Sequence, residues 1–556
     1  MSLCIQYSRP DSGQEEGEVY GLDVAVTRFL SAWFRYGTAR PFLCRPTTLE
    51  SFDHFKEVAA SQGIDAEKDC IGLDPRHPEK NLQTLSCIFR PDPLTADLVW
   101  RRVQMRGSGF ATCGLVHTMS GERIAQAACD LMLAPSDATD ALICPSQAIG
   151  AAVRNLWDIQ ADYFKHRFGG SFTCPVQTPV LPIGIDTQIF EGRTTPEKRQ
   201  AQRAQLNSPE DEIIILFVGR LSFATKAHPL PLLMAADRAA RGTKKRIRLV
   251  LYGYFKPKDM ETPFRALAAD YAGAAQVTFV QNGDPRFPDG LWAAADIFAS
   301  LSDNVQESFG LTPLEAMASG LPAVVSDWDG YREGIRNGEE GFLIPTLTPP
   351  ESAGMALAQT YYNEGNYGVA LTAAAQSTAI DVDEAARAFS LLATDANLRS
   401  RMGEKGRARA RAVFDWQPVM RSYEALWADL AEKRRMMPRA PATPENWAAA
   451  HPSFPNPWRM FARFPTTPIL PTDILHAVMG AEEVTTLLKH EMNFFVPALL
   501  VPRETLLELI ALIRRAGSVH VQDLLAPFPT ERQDSLWRCI GWMVKYGVCR
   551  LQRVGG

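Results

Sequence analysis

The stretch "IIILFVGRLSFATKAHPLPLLMAADRAAR", residues 213–241, starts as a continuous apolar run and continues from Pro229 as an amphipathic helical pattern. A strand buried on both faces reads this way, whereas a half-exposed strand alternates. Further apolar runs follow at "IRLVLYG" (247–253), "QVTFVQNG" (276–283), "DIFASLSD" (296–303) and "PAVVSD" (322–327), with helical patterns between them such as "FPDGLWAAAD" (287–296). The resulting β-α-β-α order predicts a parallel, doubly wound sheet. Upstream the same logic returns: a strand at "LCIQYS", a helix over "GLDVAVTRFLSAWFRYG", then "CGLVHT", "ALICPSQAI" and "PVLPIGID". Two such domains are expected, residues 1–190 and 191–415.

Inside the second, "ESFGLTPLEAMASGLPAVVSD" (307–327) sets Glu307 eight positions before Glu315. Thr312-Pro313-Leu314-Glu315 reads as a helix start, with Thr312 as N-cap, Pro313 at N1 and Glu315 closing a capping box. Gly310 lets another group approach the backbone. A helix N-terminus after such a bend offers free N–H groups and the positive end of a dipole, which suits a phosphate. The stretch therefore reads as an anion site with a carboxylate on each side.

Length and composition bound the rest. The 556 residues allow about three to four domains, and 46% hydrophobic content is ordinary for globular cores. A net charge of −5 gives no global attraction to nucleic acid or anionic membranes. The ten cysteines include no C-x-x-C pair and no cluster at metal spacing, so reduced structural thiols and a cytoplasmic home are expected. The N-terminus lacks the order of a signal peptide, and no apolar run is long enough to span a membrane. No period of 20 to 50 residues suggests a solenoid. "KKRIR" (244–248) reads as a solvated helix end rather than a membrane patch.

After an amphipathic helix over "FDWQPVMRSYEALWADLAEKRR" (414–435), prolines crowd residues 436–471. This predicts a linker, and its Trp447, Phe454, Trp458 and Phe461 suggest packing along a surface. Residues 472–556 read as helices with a short entry at "SVHVQDL" and a terminal strand, a pattern that resembles a winged helix. Nine basic and nine acidic side chains balance there. Without a basic face, DNA binding is disfavoured, and a protein partner, self-association or packing is expected instead.

The motifs together resemble the family 4 (group 1) retaining glycosyltransferases, whose GT-B fold sets two Rossmann-like domains across a cleft. Glu307 to Glu315 resembles that family's E-x7-E signature. "FVGRLSFATKAHPLPLLMAA" resembles its donor-phosphate segment, "GLVHT" its first-domain histidine segment, "VLPIGIDTQIF" its interdomain stretch and 416–435 its closing helix. The resemblance covers roughly residues 1–435 and is strongest over 180–345. It implies a sugar transferred from a nucleotide-sugar donor, UDP being the first choice of nucleotide, to an unidentified acceptor, with no metal or other cofactor. Arg220 and Lys226 would bind the diphosphate and Glu315 the ribose. The amides of Gly310, Leu311 and Thr312 would face phosphate and sugar, with Phe309 in the same donor set. Glu307 would meet hydroxyls of the transferred sugar, and His117 would reach it from the other domain. The catalytic set is thus His117, Glu307, Arg220 and Lys226.

Two departures matter. "SGQEEGEVYG" (12–21) has no adjacent glycine pair where the family's first-domain loop helps receive the acceptor, and Ala227 follows Lys226 where the family commonly has glycine. Gly184 is expected to serve a turn at the interdomain hinge. Rival readings are an epimerase or phosphorylase on the same architecture, or a non-catalytic protein working through its C-terminal module. Peripheral attachment at the inner face of the membrane also stays open.

Overall fold

The computed structural model describes residues 2–9, 21–73, 82–103, 109–364, 367–437, 451–493 and 500–554. The glycines at 13 and 17 and Trp447 lie outside the described residues. The chain falls into two compact units, Met1–Ala450 and His451–Gly556.

The first unit contains two six-stranded parallel sheets. One is built from β1 (Leu3–Tyr7), β2 (Phe42–Pro46), β3 (Cys70–Gly72), β4 (Cys87–Arg90), β5 (Ala111–Leu115) and β6 (Ala141–Ile143), in the order 3-2-1-4-5-6. The other uses β7 (Ile213–Val218), β8 (Ile247–Gly253), β9 (Gln276–Gln281), β10 (Ile297–Ser300), β11 (Ala323–Ser326) and β12 (Gly341–Ile344), in the order 9-8-7-10-11-12. Both are the same doubly wound order, so each has a topological switch point, between β1 and β4 and between β7 and β10. Ligands of such sheets bind beyond the carboxyl ends of the strands at that point. The five apolar runs of the second half are all strands of one sheet, and β7, β8, β10 and β11 are buried nearly throughout, as continuous apolar runs require.

Helices cover the sheets. Those that matter for the site are α1 (Gly21–Tyr36), α2 (Gln147–Phe168), α3 (Pro229–Thr243), α4 (Leu311–Ala318) and α5 (Trp416–Met436). Helix α5 packs back on the first sheet's domain: Trp427 lies 5.1 Å from the Phe89 ring and Tyr423 5.6 Å from Phe29. Its N-cap Asp415 also accepts from Thr187 Oγ1 at 2.7 Å, tying the helix start to the interdomain stretch.

Three expectations need correction. Residues 287–296 form turns, not a helix: Pro288-Asp289-Gly290 breaks the pattern, Gly290 sits at φ +76°, and Phe287, Leu291 and Trp292 are buried from the turns. "PVLPIGID" forms isolated bridges, Val180 with Cys144 and Ile185 with Asp415, rather than a ladder strand. Gly184 needs space rather than a special backbone angle, because a Cβ there would stand 2.5 Å from the Trp416 ring.

The second unit is largely helical, with helices Ala481–Leu487, Arg503–Ala516, Val521–Leu525 and Thr530–Lys545. A strand at Ile474–Ala477, absent from the sequence reading, is the middle of a small antiparallel sheet flanked by Val519–His520 and Cys549–Gln552. Leu475, Leu506, Ile510, Ile513, Leu536 and Met543 form its own core. Within 451–471, Phe454, Trp458 and Phe464 are exposed rather than packed down.

No helix among the described residues is long and apolar enough to cross a membrane. All ten cysteines are unpaired.

Candidate active site

The switch point of the second sheet places the loop after β7 beside the loop after β10, and these carry the cations and carboxylates singled out in the sequence. Lys226 Nζ meets Glu307 Oε2 at 2.5 Å, and the Tyr331 hydroxyl donates to the same oxygen at 3.1 Å. Tyr331 is fixed in turn by Ser300 Oγ at 2.8 Å. Burial pushes the Glu307 carboxyl up, but the Lys226 ammonium and the Tyr331 hydroxyl outweigh it and hold the group below its ordinary value. Glu307 is therefore an ionised, pre-organised acceptor.

Polar ties hold the two loops together. Ser302 Oγ donates to Lys226 O at 3.2 Å and Asn304 Nδ2 to Ala224 O at 2.7 Å. The buried Asp303 accepts from His228 N, the N-cap position of α3. Burial pushes Asp303 up to about 7. Arg220 forms no ion pair or hydrogen bond among the described residues, so its guanidinium is available to a ligand. It also lines, with His228, a small, mostly apolar pocket bounded by Phe217, Leu232, Leu251 and Phe264.

The helix start differs from the capping-box expectation. Helix α4 begins at Leu311 with Gly310 as its N-cap, at φ +86°, and no side chain caps it. Gly310 is doubly required, since a Cβ would also fall 2.2 Å from the Tyr331 ring. Thr312 Oγ1 is buried with no hydrogen-bond partner. The first amides of α4 are thus left for a ligand. Phe309 turns its ring into the core against Phe414, 6.3 Å away, which leaves only its backbone to the site.

Glu315 reaches across the cleft. Its Oε1 accepts from Arg28 Nη1, on α1 of the first domain, at 3.0 Å. A second pair of cross-cleft contacts lies near Glu307: Ser146 Oγ, the N-cap of α2, donates to Asp329 Oδ1 at 2.6 Å, and Gln147 N donates to Glu333 at 2.7 Å. Burial, then the charge of Glu307, raises Asp329 to about 7 despite the Ser146 bond.

His117 follows β5 in the first domain. Its Nε2–H donates to Pro91 O at 3.0 Å, leaving Nδ1 as the acceptor, and burial pushes the imidazole down to about 4. The structure thus joins Lys226 and Glu307 directly and sets Glu315 on Arg28. Asp303, Asn304, Tyr331, Asp329, Ser146 and Arg28 were not singled out by the sequence reading. Asp303 ends the quoted run "DIFASLSD", and Asn304, Asp329 and Tyr331 lie just outside the quoted stretch 307–327. Among the described residues no group of three or more His, Cys, Asp or Glu is placed to hold a metal ion.

Residues 198–378 match the family model for glycosyl transferases, group 1. This segment holds the paired loops and helix α4. Over 183 residues, 32% of this chain and 39% of the relative, it is 34% identical to a D-inositol 3-phosphate glycosyltransferase of Geodermatophilus obscurus. A protein of the same name from Acidothermus cellulolyticus is 33% identical over 187 residues, 32% of this chain and 40% of that one. The chain therefore spans about two fifths of the length of these curated relatives. Among solved structures, sucrose-phosphate synthase from Thermosynechococcus elongatus aligns with 78% of this chain and 99% of its own, at TM-score 0.47 and 19% identity.

Proposed function

We propose that the protein is a retaining glycosyltransferase that moves a sugar from a nucleoside-diphosphate donor, UDP being the first choice, to an acceptor hydroxyl. The observation that carries this reading is the switch-point assembly: Lys226, Glu307 and Tyr331 locked together beside an uncapped helix N-terminus and an unpaired Arg220. The diphosphate would lie over the amides that open α4, gripped by Arg220 in a fork and by Lys226 as a point charge. As the bond from sugar to phosphate breaks, these groups stabilise the charge that develops on the leaving phosphate. The leaving phosphate then takes the proton of the acceptor hydroxyl, which attacks the same face. Glu307 accepts from sugar hydroxyls, and neutral His117 approaches from the other domain with Nδ1 as an acceptor. Glu315 would take the ribose hydroxyls once Arg28 yields it.

The experiment is a titration of UDP, GDP, ADP and dTDP in chelator, followed by hydrolysis of the matching nucleotide sugars. Binding in the micromolar to millimolar range by at least one is expected, and binding by none removes the transferase reading.

For the second unit we propose a winged-helix-like module that serves a protein partner or self-association. The support is a three-stranded antiparallel sheet on a helical core together with balanced charge. Removing 472–556 should spare donor hydrolysis and change transfer or oligomeric state, measured by light scattering. Salt-sensitive, sequence-specific DNA binding by this module would overturn that assignment. Reduced cysteines favour a cytoplasmic setting.

A further inference from the structure

The loop that follows β11 carries a carboxylate the proposed mechanism does not use. Asp329 holds a left-handed backbone at φ +41°, one of three non-glycine residues with positive φ among those described. Aspartate is among the few non-glycine side chains that adopt this region readily, and glycine would adopt it without strain. The neighbouring Gly330 explains the placement. Its backbone packs against the Ser308–Phe309 backbone so closely that a Cβ would stand 2.3 Å from Phe309 Cα. Asp329 is thereby pressed beside the bend that presents Glu307, near enough for the Glu307 charge to act on it.

Its two oxygens are not equivalent. Oδ1 accepts from Ser146 Oγ, and α2 is held to the same loop a second time by Gln147 N on Glu333. Oδ2 accepts no hydrogen bond among the described residues. Asp303 is also at this end of the sheet, occupied by His228 N. Glu307 and Asp329 are thus neighbouring carboxylates on the expected sugar side of the diphosphate, with Lys226 already paired to Glu307 and Arg220 placed for phosphate.

Resting on the transferase reading, we propose that Asp329 is a second carboxylate on the transferred sugar and that it restricts the donor to uncharged, hydroxyl-rich hexoses. Glu307 accepts from one sugar hydroxyl in a charge-assisted bond, and Oδ2 of Asp329 accepts from another; that hydroxyl donor favours the ionised form of Asp329 against the burial that raises it. A hexuronate would bring a further negative charge into a site whose cations are already committed, and like charges at close range exclude it. Ser146 is a positioning residue: it orients Asp329 from the first domain and so makes sugar recognition depend on the two domains meeting.

The test measures acceptor-free hydrolysis of UDP-glucose, UDP-galactose and UDP-glucuronate, with UDP affinity by calorimetry, on the full chain. If none of the four diphosphates binds the wild-type protein, the transferase reading fails and this inference goes with it. If UDP binds and the hexuronate is hydrolysed as fast as the hexoses, the inference alone fails. Asp329→Asn should lower kcat/KM for its hexose about 10- to 100-fold, the loss expected from one charge-assisted hydrogen bond, while UDP affinity changes less than about threefold. Asp329→Gly removes the carboxylate but suits the left-handed backbone, so it keeps the test valid if Asp329→Asn folds poorly; the same loss is expected. Ser146→Ala should give a smaller loss with the order of donors preserved. Unchanged hydrolysis in both Asp329 variants, with reduced transfer to an acceptor, would place the residue on the acceptor and overturn the assignment. So would a loss in Ser146→Ala equal to that in Asp329→Asn, which would make the pair structural.

Discussion

The bend at 303–310 and the helix start at 311–315 are contiguous, yet their carboxylates are held in opposite ways. Glu307 is locked inside its own domain by Lys226 and Tyr331, both buried or half-buried. Glu315 depends on Arg28, which comes from the opposing domain and is 41% exposed. The difference teaches which part of the site is built before a ligand arrives and which part is adjustable. Breaking a buried pair strands a charge, whereas an exposed pair exchanges readily with water or a ligand.

The largest effect should therefore come from Lys226→Ala. It leaves the Glu307 carboxylate buried with the Tyr331 hydroxyl as its remaining side-chain donor, a loss of about 3–5 kcal/mol for a broken buried pair. Urea unfolding at pH 7 measures it. Turnover of the nucleotide sugar should fall by about 100-fold or more, since the same ammonium would meet the leaving phosphate. A stability unchanged within error would show that Glu307 is no more locked than Glu315.

The second effect concerns the other locked group, His117. Its imidazole sits at about 4 when folded against about 6.5 when unfolded, because burial disfavours the cation. The unfolded chain thus binds the proton first. Stability from this group is complete above pH 6.5 and is lost as pH falls toward 4, by up to about 3 kcal/mol. Asp303 and Asp329, raised to about 7, take up protons when folded and work the other way over the same window. The difference between wild type and His117→Gln cancels their contribution. That difference should move in favour of the variant by up to about 3 kcal/mol between pH 7 and pH 4, measured by urea unfolding at each pH. A flat difference would mean that His117 is not buried as a neutral ring.

The third effect tests the adjustable pair. Glu315→Gln should change stability by no more than about 1 kcal/mol, as for a pair whose cation is exposed, and Arg28→Ala should cost about 1–3 kcal/mol, because the Glu315 side chain it leaves unpaired is only 11% exposed. Their effects on UDP should have opposite signs. Freeing Glu315 by Arg28→Ala should tighten UDP by up to about fivefold, and removing its charge should weaken UDP about tenfold. Equal weakening in both would make Arg28 part of the nucleotide site and the pair as fixed as Lys226 with Glu307.

The same contrast explains what the sequence could reveal. The second sheet was legible because its strands are buried on both faces and so form unbroken apolar runs, and because β10, its bend and α4 bring Glu307, Gly310 and Glu315 together within nine residues. The cross-cleft contacts were not. Arg28 and Glu315 are 287 residues apart, and Ser146 and Asp329 are 183 apart. No local spacing encodes such pairs. Residues 287–296 misled for a local reason, since their apolar spacing fits a helix while Pro288-Asp289-Gly290 imposes turns. In the C-terminal unit the strand Ile474–Ala477 is four residues long, too short for its period to stand out beside the prolines that precede it.

The smallest effect separates the helix start as read from the helix start as built. If Thr312 were the N-cap of α4, losing its oxygen would cost about 0.5 to 2 kcal/mol. In the structure Gly310 holds that position and Thr312 Oγ1 is buried without a partner, a hydroxyl removed from water with nothing in return. Valine has nearly the same shape and no hydroxyl, so Thr312→Val should change stability by less than about 0.5 kcal/mol or raise it slightly. Urea unfolding of the two proteins side by side decides the matter. A clear loss would restore Thr312 as the cap and Glu315 as its reciprocal partner, and the Arg28 contact would then become a secondary use of a capping carboxylate. No loss leaves the first amides of α4 open to a ligand, as the anion-site reading requires.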